Sequence, residues 1–259
     1  MNLSFRLRME ESEGRKGSKI VLALDQVPGG HGLLLPKSLE ILERVHPFIC
    51  ALKINRHLVL PLGLFDGTRK IVDKAHSLGL PAIMDCKIND IGYTNRIIAE
   101  YYFKAGFDAV TACPLVGWEE GLQPVFELAG QMNRGVILLV HMSHKAAGEG
   151  YGQKVYDSQT KKLKHQYLVF AEKALLWDAD GAVVGATSPE RVREVHEILG
   201  NRVPIYSPGI GAQGGDLKAA LAAGSRYLII GRSITLAENP EEAAKTLRKA
   251  AESRGKSLR

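Results

Sequence analysis

The run Asp85-Cys86-Lys87-Ile88-Asn89-Asp90 sets a carboxylate and an ammonium two residues apart, with a second carboxylate three residues further on. On a strand, alternate residues share a face, so Asp85 and Lys87 point one way and Cys86 the other. If the shared face is an enclosed interior, neither charge can stand alone, because an isolated buried ion is very costly. The two must neutralise each other. Such a chain keeps a lysine protonated beside an ionised carboxylate, which suits it to stabilise negative charge developing on a substrate and then to hand over a proton. The plainer alternative is a surface salt bridge.

A second group of residues carries different chemistry. Pro208-Gly209-Ile210-Gly211-Ala212-Gln213-Gly214-Gly215-Asp216 is a glycine-rich stretch with an amide side chain in it, and Gly231-Arg232-Ser233-Ile234 follows shortly after. Exposed backbone N–H groups, the Gln213 amide and a forked guanidinium together make a phosphate grip. Either piece alone would be ordinary turn chemistry. Polar residues also close other apolar runs: Asp25, Lys53 and the stretch His141-Met142-Ser143-His144. His141, His144 and Asp157 do not have the spacing of a metal-ligand set, and no metal is expected.

These groups have to be carried by something regular. Short apolar runs at Lys19–Asp25, Ile49–Asn55, Pro81–Lys87, Asp108–Cys113, Gly135–Met142, Gly181–Gly185, Val203–Ser207 and Arg226–Gly231 read as strands buried on both faces. Amphipathic stretches between them read as helices: Lys37–His46, Thr68–Leu78, Asn95–Ala105, Trp118–Gly130, Leu163–Trp177, Pro189–Leu199, Gly215–Ala223 and Pro240–Glu252. Eight strand–helix units in 259 residues predict an α/β protein, a single-domain (β/α)8 TIM barrel, over residues 19–259. In such barrels catalytic groups sit at the C-terminal strand ends, and loops after the seventh and eighth strands commonly hold phosphate. Residues 1–18 read as a polar, frayed N-terminal extension. His144–Thr160 reads as one long loop, Lys161-Lys162-Leu163-Lys164 as the solvated start of a helix, and Trp118 and Trp177 as helix-packing residues.

Bulk properties narrow the function classes. The formal charge of +6 fits a negatively charged partner, but the basic residues are dispersed and form no basic–aromatic ribbon, so a small phosphorylated substrate is expected and no nucleic acid. No apolar stretch reaches the length of a membrane span, and the charged N-terminus lacks the apolar core of a secretory signal. Three cysteines, Cys50, Cys86 and Cys113, without a Cys-x-x-Cys pair, predict free thiols in a reducing, cytoplasmic compartment.

From Lys19 onward the chain resembles the orotidine 5′-monophosphate decarboxylases, their archaeal members above all. The matching pieces are Leu22-Ala23-Leu24-Asp25, Asp85-x-Lys87-x-x-Asp90-Ile91 with Thr94, Met142-Ser143-His144, the Pro208 to Asp216 turn, and Ile230-Gly231-Arg232-Ser233-Ile234. It departs from that pattern at Gly92-Tyr93, and the loop after Ser143 is longer than in compact members. The resemblance implies a carbon–carbon lyase that turns orotidine 5′-phosphate into uridine 5′-phosphate and CO2 in pyrimidine biosynthesis, with no cofactor, as a homodimer with shared active sites. It implies that Asp25 and Lys53 hold the ribose hydroxyls, with Lys53 also in the charge network. Asp85 lies against the substrate carboxylate and Lys87 protonates C6. Asp90, Ile91 and Thr94 reach the neighbouring subunit's site. Ser143 bonds the pyrimidine, Pro208 lines the site, and Gln213, Gly231 and Arg232 grip the phosphate.

Two competing readings are open at this point. Related Mg2+-dependent barrels, such as hexulose-phosphate synthases, share the Asp-x-Lys-x-x-Asp motif but need a further carboxylate near Asp85. Lys53 and Asn55 stand at the end of the second strand instead, and a chelator test separates the two. A catalytically dead nucleotide-binding protein is the other, against which the complete Asp85, Lys87 and Asp90 set argues.

Overall fold

The structure, a computed structural model, describes residues 3–25, 30–157 and 160–252. Residues 1–2 of the expected extension, 158–159 of the expected long loop, and 26–29 and 253–259 of the expected barrel domain lie outside these. The strands in chain order are β1 (Ile20–Ala23), β2 (Ala51–Asn55), β3 (Ala82–Ile88), β4 (Ala109–Ala112), β5 (Gly135–His141), β6 (Lys154–Asp157), β7 (Lys162–His165), β8 (Gly181–Val184), β9 (Ile205–Pro208) and β10 (Tyr227–Ile230). The helices are α1 (Phe5–Lys16), α2 (Leu34–Val45), α3 (Arg56–Leu62), α4 (Thr68–Ser77), α5 (Gly92–Lys104), α6 (Gln123–Gln131), α7 (Ala147–Gly150), α8 (Gln166–Leu176), α9 (Pro189–Leu199), α10 (Leu217–Ala223), α11 (Arg232–Thr235) and α12 (Pro240–Glu252).

Eight strands close a parallel barrel in the order β1-β10-β9-β8-β5-β4-β3-β2, which bears out the expected (β/α)8 fold. Alternation sorts each strand's side chains. Ile20 and Leu22 face the helix layer while Val21 and Ala23 face the barrel axis. The same rule puts Val110 outward with Met84 and Cys86, and Ile83, Ile137 and Val183 inward. Two apolar clusters result, one between sheet and helices and one inside the barrel. No helix among the described residues is long and apolar enough to cross a membrane.

Three expectations need correction. The N-terminal extension is not frayed: Ser4 caps α1, and Phe5 and Met9 are fully buried among the barrel's inward side chains. Its polar residues bind the barrel's lower rim. Ser12 donates to the Cys50 carbonyl at 2.6 Å, and Arg6 reaches the carbonyls of Asp178 and Ala179. Phe5 lies so close to Gly135 that a Cβ there would come within 2.4 Å of the ring. The helix hides from a periodicity search because only two apolar residues, one turn apart, do its packing.

The stretch His144–Thr160 is not one irregular loop. It holds α7 and the first strand of an antiparallel hairpin, β6 with β7. Lys161-Lys162-Leu163-Lys164 therefore enters β7 instead of starting a helix, and α8 begins at Gln166. Lys164 ties the hairpin down through Asp157 at 3.0 Å and Glu172 at 2.6 Å. Trp118 precedes α6 in a turn whose residues Glu119 and Glu120 are non-helical. Its ring packs 5.2 Å from that of Trp177, so both still serve packing.

Candidate active site

A cavity of about 470 Å³ opens at the C-terminal end of the barrel. Its floor is apolar, formed by Ile83, Ile137, Leu139, Val183 and Ile229. Its rim carries Asp25, Lys53, Asp85, Lys87, Ser143, Pro208, Gln213, Gly231 and Arg232. Lys53 and Asp85 stand within β2 and β3 and the others near or beyond a strand's C-terminal end, so the barrel brings together groups up to about 200 residues apart in sequence.

The charged cluster lies on the side formed by β1, β2 and β3. Lys53 is 4% exposed and donates to Asp85 Oδ2 at 2.8 Å and to both carboxylate oxygens of Asp25 at 3.3 Å. Lys87 donates to Asp85 Oδ1 at 2.7 Å. Burial alone pushes the Asp85 carboxyl up, but the ammonium groups of Lys53 and Lys87 outweigh it and hold it well below the usual carboxylate range. Burial likewise works against the Lys53 ammonium, and Asp85 and Asp25 together raise it above the usual lysine value. The four groups form one chain of alternating sign, which is how buried charges are tolerated.

Asp85 and Lys87 do share the cavity side, and Cys86 faces the helix layer, but the strand is not regular there. The register of β3 against β4 shifts between Met84 and Ile88, and Lys87 has φ 50°. The bulge re-aims a side chain next to a working cavity. Two neutral donors also reach the carboxylate: Asn55 Nδ2 at 3.3 Å from Oδ2, and Thr111 Oγ1 at 3.1 Å from Oδ1.

The cavity continues on the other side of β1 with the start of α11 after β10, the strand paired with β1, and then the glycine-rich turn after β9. Gly209 has φ 96°, and a Cβ there would lie 2.9 Å from Ser143 Cβ and 3.1 Å from Gln213 Oε1, so only glycine lets these three approach. Asp216 from the same turn does not face the cavity; its carboxylate caps α10 by accepting from Ala219 N at 2.6 Å. The cavity is thus acidic and basic in balance over β1, β2 and β3, and over the neighbouring β10 it offers the Arg232 guanidinium, which pairs with no carboxylate among the described residues.

Asp90, Ile91 and Thr94 are not among the cavity's lining residues. Asp90 and Ile91 are exposed at the barrel rim, and among the described residues Asp90 makes no ion pair; its carboxylate accepts from Ile91 N at 2.7 Å. The departure at Gly92 has a local cause: a Cβ there would be 2.8 Å from the Glu120 carbonyl oxygen. Tyr93 beside it is 77% exposed.

Sequence reasoning missed three lining or supporting residues. His57, at the start of α3, lines the cavity and its Nε2 meets the Asp25 carbonyl. Asn55 and Thr111 bond Asp85. Thr111 had a signal: it is the polar residue at an inward position of the apolar run Ala109-Val110-Thr111-Ala112. His57 had none, since no pattern tells which residue of a new helix turns toward a cavity.

Comparison with known proteins agrees with this arrangement. A family model described as Orotidine 5′-phosphate decarboxylase / HUMPS family matches residues 18–247. The chain is 38% identical to the orotidine 5′-phosphate decarboxylase of Methanosarcina mazei over 208 residues, 80% of this chain and 86% of that one. It is 37% identical to the Pyrococcus abyssi enzyme of the same name over 228 residues, 88% of this chain and 96% of that one. Among solved structures, orotidine 5′-monophosphate decarboxylase from Methanocaldococcus jannaschii complexed with the inhibitor BMP matches with a TM-score of 0.73 at 29% identity, covering 90% of this chain and 97% of that one. The Leishmania donovani OMP decarboxylase matches with a TM-score of 0.80 at 26% identity, covering 97% and 98%.

Proposed function

We propose that this chain, which belongs to the orotidine 5′-phosphate decarboxylase / HUMPS family, is itself an orotidine 5′-phosphate decarboxylase that releases CO2 and uridine 5′-phosphate in pyrimidine biosynthesis. The observation that carries this reading is the alternating chain Asp25–Lys53–Asp85–Lys87 in a cavity that Arg232 also lines. In this scheme the phosphate lies at Gln213, Gly231 and Arg232, the ribose hydroxyls at Asp25 and Lys53, and the pyrimidine at Ser143 with Pro208 against it. The reacting C6 then lies at Asp85 and Lys87.

Loss of CO2 breaks the bond from C6 to the carboxyl carbon and leaves the electron pair on C6, where no adjacent carbonyl can take it up. The protein must therefore favour the transition state over the bound substrate. Asp85, held ionised by its two lysines, faces the substrate carboxylate and is relieved as that charge departs. The ammonium of Lys87 stabilises the electron pair developing at C6 and then transfers its proton there, leaving a neutral amine that takes a proton from solvent. Binding the phosphate at Gln213, Gly231 and Arg232 aligns the ring for this step. No step of the scheme runs through a metal or a cofactor.

We further propose a cytoplasmic homodimer with shared sites. Asp90, Ile91 and Thr94 lie outside their own chain's cavity, and Ile91, Tyr93, Tyr101 and Phe65 leave large apolar surface exposed nearby. Exposed apolar surface of this kind is what a partner covers. The primary test is turnover of orotidine 5′-phosphate by the purified protein, followed through the absorbance change of the pyrimidine. A folded protein that leaves this substrate unchanged sinks the proposal.

A further inference from the structure

We infer that Thr111 is a positioning residue that holds the Asp85–Lys87 pair in its working geometry. The inference rests on the decarboxylase reading of the cavity, and it deepens that reading by assigning a residue outside the charge chain. β3 leaves its regular ladder with β4 between Met84 and Ile88, the stretch that holds both charged residues. Lys87 takes φ 50° there, a conformation that residues with a Cβ seldom adopt and keep only when their surroundings enforce it. A bulge also strips a backbone N–H of its ladder acceptor, and such a group must find another partner.

Thr111 supplies that partner and more. Its Oγ1 accepts from the Lys87 backbone N–H at 2.9 Å. A backbone N–H can only donate, so the hydroxyl proton is left for another acceptor. That acceptor is Asp85 Oδ1, 3.1 Å away, the same oxygen that receives the Lys87 ammonium at 2.7 Å. The Thr111 carbonyl in turn accepts from Cys86 Sγ at 3.4 Å. One residue therefore touches all three members of the bulge. Its own strand is regular on the other edge, where Thr111 pairs with Ile137, so it acts as a fixed post. Around it the inward wall is otherwise apolar, with Ile83, Ile137 and Leu139. Arg232 and Gln213 lie across the barrel, beyond reach of Thr111.

The test compares Thr111→Val, which keeps the side-chain shape and loses the hydroxyl, with Thr111→Ser, which keeps the hydroxyl. In the valine variant kcat should fall roughly ten- to hundredfold, since a charged acceptor loses a donor and the ammonium loses its alignment. KM for orotidine 5′-phosphate and the affinity for uridine 5′-phosphate should stay within about twofold, because the phosphate wall is untouched. The serine variant should recover kcat to within about threefold of the parent. Hydrogen exchange at the Lys87 amide should accelerate at least about tenfold in the valine variant alone, since an amide without its acceptor opens more readily. The inference is overturned by a valine variant with parental kcat, by unchanged protection of the Lys87 amide, or by an equal loss of kcat and product affinity. If the parent protein does not decarboxylate at all, the decarboxylase reading fails, and the Lys87 amide still decides whether Thr111 holds the bulge.

Discussion

The ammonium of Lys87 stands 2.7 Å from Oδ1 of Asp85, the shortest of four side-chain hydrogen bonds that reach this carboxylate from the described residues. In the proposed scheme Lys87 is thus anchored by a group that repels the substrate's carboxylate, and its proton goes to the atom the carboxylate leaves. Truncation to Lys87→Ala should lower kcat by at least about 10²-fold, within the span of 10² to 10⁴ expected for a positioned general acid. Affinity for uridine 5′-phosphate should change little, because the product has no carbanion. Equal losses of rate and product affinity, measured by turnover and by calorimetric titration, would make Lys87 a binding residue.

Arg232, just after β10, lines the same cavity, and no carboxylate among the described residues pairs with it. Arg232→Ala should weaken phosphorylated ligands by about 1.5–3 kcal/mol, the worth of a charge-assisted contact. Orotidine, which has no phosphate, should bind the variant and the parent alike. Parallel titrations of orotidine and orotidine 5′-phosphate check this, and matching losses for both would assign Arg232 another task.

The eight barrel strands were legible because a strand buried on both faces leaves a short apolar run that little else imitates, as Gly181-Ala182-Val183-Val184 does. The charged rim was legible because Asp25, Lys53, Asp85 and Lys87 interrupt or end such runs. The bulge at Lys87 was not: strand alternation predicts the shared face, but a left-handed residue within it depends on Thr111 of the next strand. α1 escaped because its burial rests on Phe5 and Met9 alone, while Ser12, Arg6 and Arg8 bind carbonyls that no local pattern can foretell. The β6–β7 hairpin escaped because its strands are largely polar and lysine-rich, with no buried face to impose a period.

His141 gives a pH dependence of known sign. It is 2% exposed, its Nε2 faces the Arg191 guanidinium, and burial, reinforced by that cation, pushes its pKa down from 6.5 to about 4. The unfolded chain therefore binds the proton near 6.5 and the folded chain only near 4. Between these values the unfolded state holds more protons, so stability falls as pH drops through this window, by on the order of 3 kcal/mol in total. Asp180, which burial raises to about 6, works in the opposite direction over much of the same range. Comparison with His141→Gln removes that complication, since both proteins keep Asp180. Urea unfolding at pH 7 and pH 4 should show the parent losing more stability than the variant. A difference between them that does not change with pH would contradict the assignment.

Phe5 closes the barrel from the end opposite the cavity. Phe5→Ala should cost about 3–5 kcal/mol, the usual cost of emptying a fully buried aromatic site. The rim at the other end should keep its geometry, so kcat at 25 °C should remain within about twofold. Urea midpoints and steady-state rates measured on one preparation check both halves. A loss under about 1 kcal/mol would mean that α1 merely rests on the barrel.

The shared site can be tested by restoring activity from two inactive proteins. Within one chain the cluster of Asp25, Lys53, Asp85 and Lys87 balances two positive charges against two negative ones. Asp90, the third acidic residue of the motif, is exposed at the rim and pairs with no cation among the described residues. A carboxylate supplied by a neighbouring subunit would favour the charged form of Lys87, so that the ammonium still holds its proton when the electron pair is left on C6. Asp90→Ala and Lys87→Ala homodimers should both be inactive, for different reasons. In a mixed dimer one site carries both defects and the other carries neither. Subunit exchange should therefore restore activity, approaching a quarter of the parental rate at equal mixing, since about half of the dimers are mixed and each has one intact site. If labelled subunits demonstrably exchange and the mixture stays inactive, each chain uses its own Asp90, and the rim segment from Asp90 to Thr94 has to fold back over its own cavity in the working enzyme.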